Sequence, residues 1–282
     1  MTGFININKA QGMSSAQEVN KIKRLTGKPC GHMGTLDPMA SGVLPVAVGN
    51  AARLFDYFLS KSKTYIATFV FGKDSDTLDT TGNILKTGER IPGTDEINSV
   101  LSEFVGEIDQ IPPKYSAKCI NGKRGYQLAR DGVEFELSPK KVKIYSIEYL
   151  EQVRPDTYSF EIECGGGTYI RSLARDIGAR LNTCAIMSSL VRTKSGVFTL
   201  DTAVKTEILN TFNISDFLIP TESVLDLNSI YPSAQDAKKL FNGLPVQTDL
   251  TDGIYKIFDA DSCFYGLADI KAGILKVKTK LC

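Results

Sequence analysis

The chain has 282 residues, of which 42% are hydrophobic and 23% charged, an ordinary globular composition that excludes extended disorder and suggests one large domain, or one large and one small. Its formal net charge of +1 gives no global electrostatic reason to bind nucleic acid, so any such function has to come from local patches. Apolar runs such as Val43 to Val48 fall far short of the roughly 18 residues a membrane span needs, and the N-terminus shows no basic-then-apolar signal pattern. The six cysteines (Cys30, Cys119, Cys164, Cys184, Cys263, Cys282) are scattered, with no CxxC pair and one histidine in the chain; free thiols, no metal and a cytoplasmic location are expected.

In chain order, Phe4-Ile5-Asn6-Ile7 reads as a short strand. Ser15-Ala16-Gln17-Glu18 then matches a capping box for a helix whose apolar face is Val19, Ile22 and Leu25 and which ends at Gly27 and Pro29. Cys30 to Gly42 is glycine-rich and broken by proline, a loop leading into the apolar run Val43 to Val48. Lys63 to Phe71 alternates with the period of a strand, and Gly72 to Gly82 is an acidic turn region. Ile97, Val100, Leu101 and Phe104 mark a helix capped near Thr94. Strands are expected at Val142 to Leu150 and Thr157 to Cys164. After Gly165-Gly166-Gly167, Thr168 is positioned to cap a helix with Ile170, Leu173, Ala174, Ile177 and Leu181 on one face and Arg171 and Arg175 on another. From about residue 226 short apolar runs at 254–258, 264–268 and 273–277 indicate a small β-rich terminal domain. The fold class expected is α+β, with a catalytic domain over 1–225 and a small domain over 226–282.

The segment Gly31-His32-Met33-Gly34-Thr35-Leu36-Asp37-Pro38-Met39-Ala40-Ser41-Gly42 stands out, because a tightly turning loop carries the chain's one histidine and an acid followed by proline. On local features alone Asp37 reads first as an Asx-turn residue bonded to its own backbone. There is no phosphate loop of the G-x-x-x-x-G-K-[ST] type, and Gly165-Gly166-Gly167 does not complete a dinucleotide fingerprint. A glycosidase of the usual kind needs two carboxylates, yet Asp37 is the lone acid between Gly31 and Asn50.

The same segment, followed by Val43-Leu44-Pro45, closely resembles the G-H-T-G-T-L-D-P-x-A-[ST]-G-x-L-P signature of the TruB-type tRNA pseudouridine-55 synthases. Four further segments resemble that family in the same order: Lys9 to Ser15, Lys63-Thr64-Tyr65, Ile111 to Ala117, and Gly167 to Leu173. The resemblance covers at least residues 4 to 200. It departs at Met33, where Thr is usual, at Ala10, where Pro is usual, and at Val191, where a second Arg is common.

The resemblance implies a cofactor-independent isomerisation of a T-loop uridine on a mainly antiparallel sheet, with Asp37 as the catalytic carboxylate. A carboxylate enclosed by a base needs a nearby guanidinium to keep it ionised, and Arg171 fills that position. The family pattern also places Tyr65 against the flipped base, Leu190 on the apolar wall of the uracil pocket, His32 in space vacated in the T-loop, and Tyr169 and Lys9 among the substrate-binding residues. Read without the family, Tyr65 and Leu190 are ordinary core residues of strands.

An insertion at about 104–131 would clamp the T-arm. Lys114, Lys118, Lys123, Arg124, Arg130, Lys140, Lys141 and Lys143 are opposed there by Asp131, Glu134 and Glu136 and interleave with Tyr115 and Tyr126, a combination RNA surfaces use. The terminal domain would resemble a PUA module. The expected partner is the tRNA T-arm, bound by a monomer. Two competing readings are an RNA-binding folding aid, which can coexist with the enzyme, and a sugar-bond hydrolase acting on something other than RNA. The first has no need of a buried acid near RNA phosphates, and the second predicts a second positioned carboxylate.

Overall fold

The computed structural model describes residues 1–116, 119–120 and 122–281, with 119, 120, 123 and 124 described by backbone alone. The elements in chain order are β1 (Gly3–Lys9), α1 (Ser15–Thr26), β2 (Cys30–His32), β3 (Ser41–Val48), α2 (Phe55–Leu59), β4 (Lys63–Phe71), β5 (Lys73–Ser75), β6 (Ile84–Thr87), α3 (Thr94–Leu101) and β7 (Gly106–Gln110). There follow β8 (Cys119–Ile120), β9 (Lys123–Arg124), α4 (Gly125–Arg130), β10 (Lys140–Arg154), β11 (Thr157–Cys164), α5 (Ile170–Arg180), β12 (Ala185–Ser195) and β13 (Phe198–Thr199). The last part of the chain forms β14 (Ser229–Ile230), α6 (Ala234–Phe241), β15 (Val246–Gln247), β16 (Gly253–Phe258), β17 (Phe264–Lys271) and β18 (Ile274–Lys280).

Nine strands form the main sheet, in the order β1-β3-β12-β4-β11-β10-β7, with β2 added beside β3 and β13 beside β12. Every neighbouring pair is antiparallel except β3 and β12, which touch in parallel for only two residue pairs, Ser41 with Val191 and Gly42 with Arg192. The alternation in β4 puts Lys63, Tyr65, Ala67, Phe69 and Phe71 on the buried face, where α5 lays its own apolar side, Ile170, Leu173, Ala174 and Ile177. Each such isoleucine or leucine taken fully from water contributes about 1.5–3 kcal/mol. The second sheet, β14-β16-β17-β18-β15, docks on the β1 side of the first. Leu267 and Leu281 join Phe4, Phe58 and Phe198 in one apolar cluster, and Asn50 and Arg53 donate to the carbonyls of Leu281 and Lys280 at 3.1 and 2.7 Å. The fold is therefore α+β with mainly antiparallel sheets and a β-rich C-terminal part. Among the described residues no helix is long and apolar enough to cross a membrane.

Three local expectations need correction. The capping box of α1 is formed by Ser14 and Gln17, not Ser15 and Glu18; the Ser15 hydroxyl is instead committed to Leu36. Thr168 does not cap α5, because its hydroxyl donates to the Gly165 carbonyl, and Tyr169 is the N-cap residue. The segment 104–131 is not all excursion: β7 pairs with β10 inside the main sheet, so the chain leaves that sheet after Gln110 and rejoins it at Lys140.

Candidate active site

The loop that carries Asp37 starts at β2, ends at β3, and is pinned from behind at almost every residue. Ser15 both donates to the Leu36 carbonyl and accepts from the Leu36 N–H, each at 2.9 Å. Gly12 N–H donates to the Pro38 carbonyl at 2.7 Å, and Ala40 N–H to Asp37 at 3.0 Å. The ammonium of Lys9, a residue with no exposed surface, donates to the carbonyls of Ala10, Met13 and Pro38. Burial lowers the Lys9 pKa to about 8, against the opposing charges of Glu18 and Asp37. Lys9 thus sits behind the loop with its donors occupied and does not reach the pocket, so the substrate contact expected of it is replaced by a positioning role. Met33 likewise turns inward: it is 1% exposed and packs in the cluster with Phe4 and Phe58, while its N–H donates to Pro45. A hydroxyl at that side chain would have to be satisfied inside an apolar cluster, so the thioether suits the site it occupies.

Where the loop rejoins the sheet, Gly42 has φ +99° and a β-carbon there would overlap the Arg192 carbonyl oxygen. No L side chain fits that conformation or that space. Gly42→Ala is expected to destabilise the protein by about 3 kcal/mol or more, read from denaturant unfolding; an unchanged midpoint would mean that the two strands separate without cost.

From α5, Arg171 faces the loop. Its Nε lies 2.9 Å from Asp37 Oδ2 and its Nη2 donates to Asp37 Oδ1 at 3.2 Å, a two-pronged pair. The other donors reach the carbonyls of Thr77 at 2.9 Å and Tyr115 at 3.0 Å, and Nη1 lies 3.5 Å from Asp79 Oδ2. A cation in the first turn of a helix opposes the helix dipole, and two carboxylates around one guanidinium offset that cost. Arg171 is 7% and Asp37 34% exposed at the side chain, so the arginine is fixed and the acid opens to solvent. Asp79, which sequence reading did not single out, is the second acid beside Arg171. It is 4% exposed, and its Oδ1 accepts from the Thr77 hydroxyl and from the N–H and hydroxyl of Thr81, which leaves Oδ2 for Arg171.

Asp37 opens onto a pocket of about 230 Å³. Tyr65, Leu190, Tyr169, Arg171, Lys63 and Arg192 are among its walls, so five of the seven residues singled out from sequence (Asp37, Tyr65, Arg171, Leu190, Tyr169) meet there. Burial pushes the Tyr65 hydroxyl up in pKa, opposed by the Arg192 charge. Burial also raises that of Tyr169, against the Arg171 charge; both rings are neutral phenols at pH 7. Gln110 holds Tyr169 by its backbone, accepting from its N–H at 2.8 Å and donating to its carbonyl at 3.1 Å. The Lys63 ammonium caps the end of α2, donating to Phe58, Leu59 and Lys61; burial first and the Arg192 charge second lower its pKa to about 8.

His32 is not on the pocket wall. It lies at the end of β2 opposite Val46, its Nδ1 is buried without a protein partner, and burial, reinforced by the Arg192 charge, lowers its pKa. A wider groove of about 870 Å³, between the acidic turn, α5 and residues 129–137, contains none of Asp37, Tyr65, Arg171 or Leu190, so size does not mark the site. In the basic excursion, Lys118 and the side chains of Lys123 and Arg124 lie outside the described residues. Its start is tied to α5, since the Ile111 carbonyl accepts from Ser172 and Arg175 at 2.8 and 3.0 Å. Among the described residues no group of three or more His, Cys, Asp or Glu is placed to hold a metal ion.

Known proteins match this arrangement along the chain. The model of the TruB family pseudouridylate synthase N-terminal domain matches residues 23–170. The tRNA pseudouridine synthase B of Clostridium kluyveri is 38% identical over 276 residues, 95% of each chain. That of Borrelia garinii is 38% identical over 257 residues, 90% of each. Among solved structures, a crystal structure of a Cbf5-Nop10-Gar1 complex aligns with a TM-score of 0.73 and 25% identity, over 99% of this chain and 85% of that one. With a family model spanning more than half of its length and relatives 38% identical along nearly all of it, the chain belongs to the TruB family of pseudouridylate synthases.

Proposed function

We propose that this protein converts uridine to pseudouridine at position 55 in the T-loop of tRNA, with Asp37 as the carboxylate that acts on the sugar. The observation that carries the reading is the two-pronged Asp37–Arg171 pair opening onto a pocket walled by Tyr65 and Leu190. The substrate class follows from the relatives that act on tRNA.

In the reaction the N1–C1′ bond breaks, the base turns in place, and C5 bonds to C1′; the proton lost from C5 equals the one gained at N1, so no redox partner is consumed. Asp37, as nucleophile or base toward the ribose, must be an anion, and the fork from Arg171 orients it. The uridine has to leave its stack before the sugar can meet Asp37, at a cost of a few kcal/mol. Stacking on Tyr65, worth about 1–3 kcal/mol, and the apolar contact of Leu190 offset it. His32 lies outside the pocket with an unpartnered Nδ1, which suits a ring that fills space in the refolded T-loop. The excursion 111–139 and the C-terminal sheet extend the RNA contact beyond the pocket.

The test is tritium release from an unmodified tRNA transcript labelled at uridine C5, with the modified position mapped by chemical derivatisation. Release from the T-loop uridine alone is expected; release from another arm, or none despite tight tRNA binding, overturns the reading. Because burial lowers the His32 pKa, the neutral ring dominates at pH 7 and above. His32→Ala should therefore raise KM while leaving the shape of the pH–rate profile in that range intact, and a lost limb in that profile would give His32 a proton-transfer role instead.

A further inference from the structure

Arg192 is the largest fully buried side chain among the described residues, at 1% exposure. Taking a guanidinium out of water is costly unless a carboxylate accompanies it, and Arg171 obeys that rule with two. Arg192 does not. Its Nε donates to the Val43 carbonyl at 2.7 Å and its Nη2 to the Gly34 carbonyl at 3.1 Å, and among the described residues it pairs with no acid. Its charge acts on Lys9, His32, Lys63, Tyr65 and Cys164, none of them an anion at neutral pH, while Asp37, which lines the same pocket, is engaged by the Arg171 fork. Two carbonyls would hold the ends of the Asp37 loop equally well from a neutral donor. A full positive charge is therefore kept on the wall of the pocket without an ion-pair partner of its own among the described residues.

We propose that Arg192 is a catalytic residue whose guanidinium, beside the Tyr65 hydroxyl, stabilises the negative charge that the uracil ring acquires as the N1–C1′ bond breaks. The inference rests on the reading of the pocket as a uridine site. When that bond breaks heterolytically its electron pair leaves with the base, and the charge spreads over N1, O2 and O4; it is consumed again when C5 bonds to C1′ and the C5 proton is lost. The ground-state base is neutral, so a fixed cation in a water-poor pocket favours the cleaved state over the bound one, the condition for lowering a barrier rather than merely tightening binding. The Asp37–Arg171 pair addresses the sugar, and Arg192 addresses the leaving base. Strand geometry supports the division: Leu190 and Arg192 are two residues apart on β12 and both line the pocket, and Arg192 stands across from Tyr65 on β4.

The experiment compares two T-arm hairpins, one with uridine and one with 5-fluorouridine at the target position, under single turnover with the full-length protein. Fluorine at C5 makes the base a better anion, so cleavage of its N-glycosidic bond depends less on outside stabilisation. Loss of the N-linked nucleoside is followed by nuclease digestion and mass spectrometry, with hairpin affinity measured in parallel. Arg192→Gln is expected to lose about 10²- to 10³-fold on uridine, the range for removing one donor to a developing anion, and to lose at least fivefold less on 5-fluorouridine, with affinity little changed. Arg192→Lys, which keeps the charge but not both carbonyl bonds, should recover most of the rate; Arg192→Met carries the same two-base comparison should glutamine unfold the strand junction. Equal losses on the two bases, in whichever neutral variant folds, reduce Arg192 to a staple of the loop and overturn the assignment. If the wild type leaves both hairpins intact, the uridine reading itself fails; if it converts both and only the differential is missing, Arg192 alone is wrongly assigned.

Discussion

Asp37→Asn is expected to abolish tritium release, by about 10⁴-fold or more, while tRNA affinity stays equal to the wild type or becomes slightly tighter. Asparagine keeps the size of the side chain and one acceptor, so the loop, held by Ser15, Gly12, Lys9 and Arg192 rather than by Asp37 itself, should keep its path. What disappears is the anion and one prong of the Arg171 fork, since an amide N–H placed against a guanidinium N–H repels it. Removing a negative charge from a surface that must approach phosphates favours binding. The measurement pairs single-turnover release with a binding isotherm on the same transcript. Residual release within tenfold of wild type would take the chemistry away from Asp37, and a parallel loss of affinity would make it a binding residue.

The residues legible in the sequence were those whose local pattern and fold agree. β4 alternates cleanly because one face packs under α5, and its expected span from Lys63 to Phe71 is the observed one. Asp37, Tyr65, Arg171, Leu190 and Tyr169 were marked by segments that resemble the family, and the fold brings them to one pocket although they lie far apart in the chain. Asp79 was illegible because the acidic turn also holds Asp74 and Asp76. Nothing local separates the one whose Oδ2 faces Arg171 from Asp76, which accepts bonds from Asn83. For Arg192 the sequence carries one trace, the period of two that puts it on the Leu190 face of β12. The lone positive charge there becomes visible only once the fold shows that no acid among the described residues pairs with it. The misplaced capping box arises from two adjacent serines, each with an acid or amide three residues on; tertiary demand from Leu36 removes Ser15 from the cap, and Ser14 takes the role.

Arg171→Met should lower turnover by about 10²- to 10³-fold, and Asp79→Asn by about tenfold, with the double variant no worse than Arg171→Met alone. Removing one partner of a buried pair typically costs about 3–5 kcal/mol. Asp37 is a third exposed, so water screens part of that loss and the lower half of that span, about 3–4 kcal/mol, applies; at about 1.4 kcal/mol per tenfold this gives the stated range. Methionine leaves Asp37 without its orienting fork and leaves the Tyr115 and Thr77 carbonyls without their donor, so the start of the 111–139 excursion should loosen as well. That is readable as faster amide exchange in this segment. Asp79 makes no contact with Asp37 and does not line the pocket; it acts by fixing Nη1 of Arg171. Once the guanidinium is gone, neutralising Asp79 has nothing left to disturb, and the two effects cease to add. Fully additive losses in the four-variant cycle would show that Asp79 reaches the reaction by a route other than Arg171. A double variant more active than Arg171→Met would show that two unpaired carboxylates beside the pocket are worse than one.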